Sequence, residues 1–380
     1  MLSAIGVRGL RILHLSSNNN NLYYALETFT KLAENHVYML GEPTTNEYKD
    51  IITSIGFFDL LNPYFSQRFL DYDLVVLHSL SPYWIRHIIL SNNDVKFLWI
   101  GWGWDYYDLV KKFDGLLPRT KSLHSQEFSR DIVIYFKNKL SALKVSILNI
   151  GKRKAISKIS YFSPVIYEDY ELIDNNSDVQ LPPYVNWNYG GIEKWLHGGE
   201  FDKLSDWILL GNSATYSNNH FDIIDFIKKV KLEDRKVVVP LSYGERGVKK
   251  EVINHGSNVL NGNFKPINDY LPLDEYNNII SSCGFVIMNH VRQQAHGNII
   301  LMLYLGAKVF IREDCPSYLF FKRVGAVIFG VSELIRNPSL LDLGLTDEEK
   351  EINRFVIEEN WSRRVIDEKG KEIIKVISST

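Results

Sequence analysis

Short apolar runs, separated by longer segments of mixed polarity, recur along the whole chain. The runs lie at Arg11–Ser16, Asp73–Ser79, Val95–Ile100, Trp207–Leu210, Lys236–Pro240, Gly284–Met288 and Lys308–Arg312. They lack the strict polar–apolar alternation of a strand with one face in water, and strands buried on both faces of a parallel sheet have this pattern. The pattern therefore predicts parallel strands joined by helical connections, which is an α/β fold.

The segments between these runs predict the helices. The clearest candidates are Leu22–Ala33, His220–Val230, Leu273–Ser282 and Asn298–Leu305. Residues 170–206 break the pattern because they are polar and carry several prolines and glycines. We predict one α/β domain at 1–185, an interdomain connection at 186–206 and a second α/β domain at 207–380.

Length and composition agree with two such domains and exclude several classes of protein. The chain has 380 residues, about twice the typical size of one domain. Its formal net charge of −2 gives no general attraction to nucleic acid. Cys283 and Cys315 cannot form a disulfide framework, so we expect a reducing, cytoplasmic location. Residues 1–10 contain Arg8 and no long apolar stretch, so no signal peptide is expected, and Ile299–Ile311 is too short to span a bilayer.

Two polar loops follow predicted strands in the second domain. Gly211–Ser213 comes directly after the strand at Trp207–Leu210, and small residues there leave backbone N–H groups free to face a phosphate. The same residues also fit an ordinary turn. A second loop, Arg292–Asn298, follows the strand at Gly284–Met288, where open α/β sheets bind ligands. Its Arg292 could pair with a diphosphate, and the alternative is a solvated arginine on the surface.

An aromatic sequence, Trp99–Tyr107 (WIGWGWDYY), follows a predicted strand in the first domain. Indole faces pack on sugar rings, and the carboxylate of Asp105 could act as a base or bind hydroxyl groups. The alternative is aromatic core packing, with Asp105 as a helix N-cap. His14 and His78 lie near strand ends, where a histidine either is structural or faces a ligand. The Asp71–Asp73 sequence (DYD) precedes its strand, whereas a metal-binding DxD should follow one, so we discount it.

These same residues resemble glycosyltransferase family 56. The resemblance covers most of the chain, roughly from Ile12 to Phe329. Its most specific parts are Trp99, Trp102, Gly103, Asp105 and Tyr107; Gly211–Ser213 with Ser217, Asn218 and His220; Lys236–Pro240 with Tyr243; and Arg292, Gln293, Gln294 and Gly297. Similar residues are also found at Arg312, Glu313, His14 and His78.

The resemblance implies the GT-B architecture, in which two Rossmann-like domains face each other across a cleft, usually without a catalytic metal. It implies a TDP-activated deoxysugar donor, such as a 4-acetamido-4,6-dideoxyhexose, on the C-terminal domain. It also implies a glycan acceptor linked to polyprenyl diphosphate on the N-terminal domain, as in O-antigen or enterobacterial common antigen synthesis. We therefore expect no cofactor and no metal.

The resemblance and the polar loops together assign residues to the two substrates. The donor is expected to contact Gly211, Asn212, Ser213, Asn218, Tyr243, Arg292, Gln293, Gln294, Gly297, Asn298 and Glu313. The acceptor is expected to contact His78, Trp102, Trp104 and Tyr107. Asp105, followed by His14, is expected to act as an acid or base or to orient the acceptor. Many GT-B enzymes hold the donor ribose with a glutamate in the helix after the phosphate loop. The helix at Asn298–Leu305 has no acid here, so Glu313 or backbone groups must take that role.

Residues 121–160 form a basic segment whose apolar residues have helix-like spacing. Its basic residues are Lys121, Arg130, Lys137, Lys139, Lys144, Lys152, Arg153, Lys154 and Lys158, and its acids are Glu127 and Asp131. Such a segment suits the anionic inner face of the bacterial inner membrane, where a lipid-linked acceptor would lie. The alternative is an ordinary solvated helix face.

Two other classes of protein fit part of this pattern. A sugar-nucleotide 2-epimerase would use the same architecture, with acids and histidines around the sugar ring but no lipid acceptor. A non-catalytic carbohydrate-binding protein would bind glycan without any transfer, and the polar loops in both domains argue against it.

Overall fold

The computed structural model describes residues 9–17, 21–129, 151–196 and 204–379. They fold into two compact units, each built around one six-stranded sheet. The first unit comprises Met1–Lys111, Lys139–Gly190 and Arg363–Thr380, and the second comprises Lys112–Asn138 and Gly191–Ser362. The strand pairs in both sheets are parallel, as the apolar runs predict.

The first unit alternates strands with helices. Its strands are β1 (Arg11–Ser17), β2 (Glu34–Leu40), β3 (Ile52–Ile55), β4 (Leu74–His78), β5 (Phe97–Ile100) and β6 (Tyr161–Ser163). Its helices are Asn21–Phe29, Phe57–Leu61, Pro82–Leu90, Tyr167–Asn176 and Arg363–Ser378, with a further helical segment at 151–156. Short 3-10 helices lie at Lys49–Ile51, Phe65–Asp71 and Tyr107–Leu109.

The second unit repeats this arrangement. Its strands are β7 (Ser205–Leu210), β8 (Val237–Pro240), β9 (Phe264–Ile267), β10 (Cys283–Met288), β11 (Lys308–Ile311) and β12 (Phe329–Gly330). Its helices are Pro118–Ser129, Ile192–Leu196, His220–Ile227, Arg246–Leu260, Leu273–Ser281, His296–Tyr304, Pro316–Arg323, Val331–Arg336 and Asp347–Trp361. Its 3-10 helices are Tyr216–Asn218, Asn261–Asn263 and Pro338–Leu341.

The two sheets have the same strand order, and this order decides where each unit can bind a ligand. The orders are β3-β2-β1-β4-β5-β6 and β12-β11-β10-β7-β8-β9. In each unit the chain builds two strands on one side of the first strand and then places three on the other side. The loops after β1 and β4, and after β7 and β10, therefore diverge at the carboxyl edge of their sheet, and the crevice between such loops is the usual ligand position.

The central strands form the core of each unit. All side chains of β4, β5, β8 and β10 are buried, which explains why the sequence shows unbroken apolar runs at these positions. Helices then cover both faces of each sheet, as a buried parallel sheet requires. Within the described ranges, no helix combines the length and the apolar composition needed to cross a membrane.

The predicted strands and helices are present, but several ends differ. The helix expected at Leu22–Ala33 ends at Phe29, because β2 begins at Glu34 and the chain has to turn before it. The strand expected from Trp207 begins at Ser205, inside the predicted connection, and a helix at Ile192–Leu196 also lies there. Residues 197–203 of that connection lie outside the described residues. The hydrophobic pattern missed β2, β3, β6, β9 and β12.

Two segments lie in the opposite unit from the domain that the sequence analysis predicted for them. These segments are Lys112–Asn138 and Arg363–Thr380. Leu117 N donates to Asn219 Oδ1 at 2.8 Å, which joins the start of the helix Pro118–Ser129 to the second unit. Arg363 Nη1 pairs with Glu27 Oε2 at 3.1 Å, which joins the last helix to the first unit. The chain therefore enters each unit more than once.

Candidate functional site

Three loops meet at the carboxyl edge of the second sheet. They follow β7, β8 and β10 and span residues 211–219, 241–245 and 289–295. Ala214 N donates to the carbonyl of Tyr243 at 2.8 Å, and Glu245 N donates to the carbonyl of Ala214 at 2.8 Å. Gly244 permits this close approach, because its φ is +118° and a Cβ there would lie 2.4 Å from the oxygen of Ala214. The loops after β7 and β8 are thus joined through their backbones.

Gln294 joins the loop after β10 to the loop after β7. Its Nε2 donates to Asn212 Oδ1 at 2.9 Å, and its Oε1 accepts from Ser217 Oγ at 2.8 Å. Asn212 in turn donates from Nδ2 to the hydroxyl of Tyr243 at 2.6 Å. A row of hydrogen bonds therefore crosses all three loops and brings together three residues that the sequence assigns to the donor.

Asn218 holds the loop after β7 from beneath. It is fully buried, and its Oδ1 accepts from Asn212 N at 2.9 Å and from His290 Nε2 at 2.9 Å. Its Nδ2 donates to the carbonyl of Ser213 at 2.9 Å. Gly211 packs directly against it: the φ of Gly211 is +65°, and a Cβ there would lie 2.7 Å from Asn218 Oδ1. Asn218 is therefore a support for the loop, placed below the surface that faces a ligand.

Arg292 supplies the positive charge of the site. It is half-buried in the loop after β10, where its carbonyl accepts a hydrogen bond from Cys315 Sγ at 3.3 Å. Burial lowers the pKa of His290 to about 3, and the neighbouring charge of Arg292 contributes to this shift. His290 is therefore neutral at pH 7 and does not add to the charge of Arg292. Gln293, which follows Arg292 in the chain, is buried.

Backbone amides add to the charge of Arg292. The N–H of Ser213 donates to no acceptor in the described part of the chain. Ser213 also lies beside the loop after β10, because Gln294 Nε2 is 3.4 Å from Ser213 Oγ. The helix His296–Tyr304 starts from that loop at Ala295, with no side-chain cap and with Gly297 in its first turn. The arrangement is that of an anion site, with an arginine, a loop amide and a helix N-terminus on one edge of the sheet.

Two other predicted donor residues lie at the margins of this site. Asn298 Nδ2 donates to the hydroxyl of Tyr276 at 2.8 Å, so its amide joins the first turn of the helix His296–Tyr304 to the helix Leu273–Ser281. Glu313 follows β11, and its Oε2 accepts from Ser332 N at 3.3 Å and Ser332 Oγ at 3.1 Å. The carboxylate of Glu313 therefore has hydrogen-bond partners outside the three loops.

In the first unit, His14 and His78 belong to one directed chain of hydrogen bonds. Asn35 donates from Nδ2 to two backbone carbonyls, so its Oδ1 faces His14 Nε2, 2.8 Å away, and this nitrogen carries the proton. His14 Nδ1 then accepts from His78 Nε2 at 2.9 Å, and His78 Nδ1 accepts from the hydroxyl of Tyr189 at 2.6 Å. Burial lowers the pKa of His14 to about 4, and it also lowers the pKa of His78, so both rings are neutral. Both rings are buried, His14 in the middle of β1 and His78 at the end of β4.

Asp105 is enclosed by donors. Its Oδ2 accepts from Leu80 N at 2.8 Å and from Trp99 Nε1 at 2.7 Å, and its Oδ1 accepts from Trp102 N at 2.7 Å. Burial raises the pKa of this carboxyl group, while the donors act in the opposite direction. Asp105 thus connects the loop after β4 to the loop after β5, and both of its oxygens are occupied.

The aromatic residues around Asp105 divide into core and surface. Trp99 is fully buried and stacks on Phe162 with ring centroids 4.0 Å apart. The hydroxyl of Tyr107 donates to the buried Asp169 at 2.5 Å, so it is already bound within the unit. Trp102 is half-buried, with its ring edge-on to Tyr189, and Trp104 is exposed. Trp102 and Trp104 are the two predicted acceptor aromatics that remain open to a ligand.

Sequence reasoning missed the residues that support these sites. Asn35, Tyr189, Tyr276 and His290 are single polar side chains beside apolar runs, and only their partners in the fold give them a role. The position of His290, two residues after β10, is the one local signal that could have identified it. A cavity of about 500 Å³ lies at the opposite edge of the second sheet, and none of the predicted site residues lines it.

Several solved structures, including that of a glycosyltransferase, share this fold. A glycosyltransferase from Rickettsia africae ESF-5 aligns with a TM-score of 0.63 at 14% identity, over 98% of this chain and 100% of that one. HepE from Anabaena, solved in complex with UDP-glucose, aligns with a TM-score of 0.64 at 11% identity and the same coverage. A putative UDP-N-acetylglucosamine 2-epimerase from Listeria monocytogenes aligns at 0.51 and 11% identity, over 97% and 96%. These similarities establish the GT-B fold and confirm the predicted fold class.

Residues 199–333 match the model of a family described as 4-alpha-L-fucosyltransferase, glycosyl transferase group 56. The match contains the loops after β7, β8 and β10, and also Glu313. The resemblance to family 56 is therefore confirmed over this stretch. Together with the fold, the match supports a nucleotide-sugar-dependent glycosyltransferase.

Proposed function

We propose that this protein transfers a deoxysugar, a 4-acetamido-4,6-dideoxyhexose, from a TDP-sugar to a glycan linked to polyprenyl diphosphate. The reaction would belong to bacterial surface polysaccharide synthesis, of the O-antigen or enterobacterial common antigen type. The observation that carries the proposal is the anion site at the crevice between β7 and β10, which lies within the residues that match family 56.

The donor would bind through its diphosphate and its base. Arg292, the N–H of Ser213 and the N-terminus of the helix His296–Tyr304 would share the negative charge of the diphosphate. The ring of Tyr243 is 55% exposed while its hydroxyl is fixed by Asn212, so it offers a flat surface for the base or the sugar.

The reaction would need no metal ion. In this proposal Arg292, the loop amide and the helix dipole stabilise the charge that develops on the leaving diphosphate. We therefore expect full activity in the presence of EDTA, with and without added Mg²⁺.

The acceptor would bind to the first unit. Trp102 and Trp104 would pack against sugar rings, and His78 and Tyr107 would support that surface from within. Asp105 and His14 remain the residues proposed to act on the acceptor hydroxyl. Protein groups already occupy the hydrogen-bonding atoms of both side chains. This favours an orienting role for both residues over direct proton transfer.

The protein would act at the inner face of the bacterial inner membrane, because a polyprenyl chain keeps the acceptor in the bilayer. The basic segment at 121–160 supports this location through its charge. Its central part, which includes Arg130, Lys137, Lys139 and Lys144, lies outside the described residues.

A donor screen tests the proposed reaction. The protein is incubated with TDP- and UDP-sugars, with and without a polyprenyl-diphosphate-linked acceptor, and products are identified by mass spectrometry. Acceptor-dependent transfer from a TDP-deoxysugar is the expected result. An isomerised sugar nucleotide formed without acceptor would identify a 2-epimerase, and glycan binding without any turnover would identify a binding protein.

A further inference from the structure

The first unit exposes several large apolar side chains on one short helix. The helix Phe57–Leu61 buries none of its five residues. The side chain of Phe57 is 69% exposed, that of Phe58 is 85% exposed, and Leu61 is exposed as well. Single exposed apolar residues are common, but a group of them on one element marks a binding surface.

The exposed surface continues onto the neighbouring helix. His87 Nε2 lies 3.0 Å from the carbonyl of Leu60, which places the helix Pro82–Leu90 beside the helix Phe57–Leu61. Tyr83 and Leu90 point outwards from this second helix, and Tyr64 is exposed between the two segments. We call this set the aromatic patch; its members are Phe57, Phe58, Leu61, Tyr64, Tyr83 and Leu90.

Cations surround the aromatic patch. Arg68 and Arg86 are exposed on the segments that form it. Arg153 and Lys154 are exposed on the helical segment 151–156, which packs against the same helix: a Cβ on Gly151 would lie 3.3 Å from the Cγ2 of Ile85. None of the four cations has an ion-pair partner within the described ranges.

The acids in the same segments are fewer. They are Asp59 and Asp71; Asp178, which interacts electrostatically with Arg153, lies on another segment and is paired with Lys111. Asp59 Oδ2 is already used, because it accepts a hydrogen bond from Gly56 N at 3.0 Å. The surroundings of the aromatic patch are therefore net positive, and this charge is complementary to an anionic surface.

We propose that the aromatic patch rests on the surface of an anionic phospholipid bilayer. Aromatic side chains partition to the boundary between headgroups and acyl chains, while the arginines and the lysine contact phosphate headgroups. The inference rests on the proposed function, because an acceptor held in the bilayer requires the first unit to reach it. Two of the cations around the aromatic patch, Arg153 and Lys154, belong to the basic segment 121–160.

Vesicle flotation with paired variants tests the assignment. Phe57→Ser combined with Phe58→Ser is expected to lower the partition coefficient on vesicles of phosphatidylglycerol and phosphatidylcholine at least about tenfold. The matched control is Phe355→Ser, because Phe355 is 64% exposed on the second unit. The control should bind as the unmodified protein does. Equal loss in both, or no loss in the double variant, overturns the proposal.

A fluorescent probe locates the contact directly. Cys283 and Cys315 are both buried, and burial raises the pKa of Cys283 to about 12, so an introduced surface cysteine can be labelled selectively. A nitrobenzoxadiazole dye on Phe58→Cys should shift to the blue and brighten when vesicles are added, whereas the dye on Phe355→Cys should not. An unchanged spectrum at Phe58→Cys overturns the proposal even if the protein floats.

Transfer assays separate this inference from the proposed function. With a water-soluble, short-chain acceptor, the double variant should turn over as fast as the unmodified protein and should lose rate only with acceptor in vesicles. Absence of transfer in every variant, together with intact vesicle binding, would remove the glycosyltransferase proposal and leave the membrane contact standing. Ultracentrifugation tests whether a second copy covers the aromatic patch instead. A dimer of the unmodified protein that is lost in the double variant would overturn the proposal.

Discussion

At the scale of single residues, the donors around Asp105 favour a supporting role for this buried carboxylate. Two backbone N–H groups and the Trp99 indole donate to its carboxylate, which fixes the positions of Trp99 and Trp102. The sequence singled out Asp105 as a candidate acid, base or acceptor-orienting residue. It could not distinguish a ligand-facing acid from an internal support, because that distinction depends on which groups the fold brings to each oxygen.

Asp105→Asn tests the supporting role. An amide nitrogen must then face one of the three N–H donors, so we expect a loss of about 1–3 kcal/mol in the free energy of unfolding. Urea unfolding measures the loss of stability. Steady-state kinetics should show turnover lowered by less than about 100-fold. Unchanged stability with turnover lowered by about 100-fold or more would instead establish an acid or base.

Arg292 is the residue proposed to bind the diphosphate, because its charge acts on Tyr243 and His290 in the loops of the anion site. Arg292→Ala should weaken TDP binding by about 1.5–3 kcal/mol, or roughly 10- to 150-fold, as loss of a charge-assisted hydrogen bond does. Calorimetry measures the affinity. Arg336→Ala, an exposed arginine elsewhere on the second unit, is the control and should bind TDP normally. Equal affinities for TDP in the two variants would show that Arg292 does not bind the diphosphate.

At the scale of elements, the crossing of the loops after β7 and β8 depends on one glycine. Gly244→Ala forces a Cβ to within 2.4 Å of the oxygen of Ala214, so the two loops must separate. We expect a loss of about 1–3 kcal/mol in stability and weaker donor binding. Gly325→Ala is the control, since Gly325 also has a positive φ, +87°, but has open space around it. If the two variants behave alike, backbone strain and not the loop contact is the cause.

The same scale shows which parts of the fold were readable from the sequence. Central strands such as β8 and β10 were predicted because both of their faces are buried, which produces unbroken apolar runs. The inner strand β2 was missed because its buried side chains alternate with partly exposed ones. The edge strands β3 and β9 were missed because half of their side chains face solvent or the sheet edge, so they resemble loops. The polar loops after β7 and β10 were predicted from their place after strands. Their cross-links through Asn218 and Gln294 were not, because those bonds join residues far apart in sequence.

At the scale of the whole molecule, buried neutral histidines link stability to pH. Burial lowers the pKa of His14 to about 4 and the pKa values of His220 and His290 to about 3. In the unfolded chain these rings bind protons below about pH 6.5, so the unfolded state takes up more protons and stability falls as the pH drops towards these values.

Each such histidine should remove about 2 kcal/mol from the free energy of unfolding between about pH 7 and pH 5. Urea titrations at the two pH values measure the difference, which His220→Gln should make smaller by about that amount. A variant His220→Gln with an unaltered pH difference would mean that His220 is protonated in the folded protein.

The helix Arg363–Ser378 completes the first unit although it is synthesised after the whole of the second unit. Lys31 Nζ pairs with Asp367 Oδ2 at 2.6 Å, and Gly370 lets the helix approach Thr28 so closely that a Cβ would lie 2.4 Å from its methyl group. Gly191–Ser362, by contrast, leaves the ribosome as one continuous stretch. The second unit can therefore complete its folding while the first still waits for its final helix. A nascent chain stalled with Ser362 just outside the exit tunnel should then carry a protease-resistant second unit and a first unit that is still cleaved.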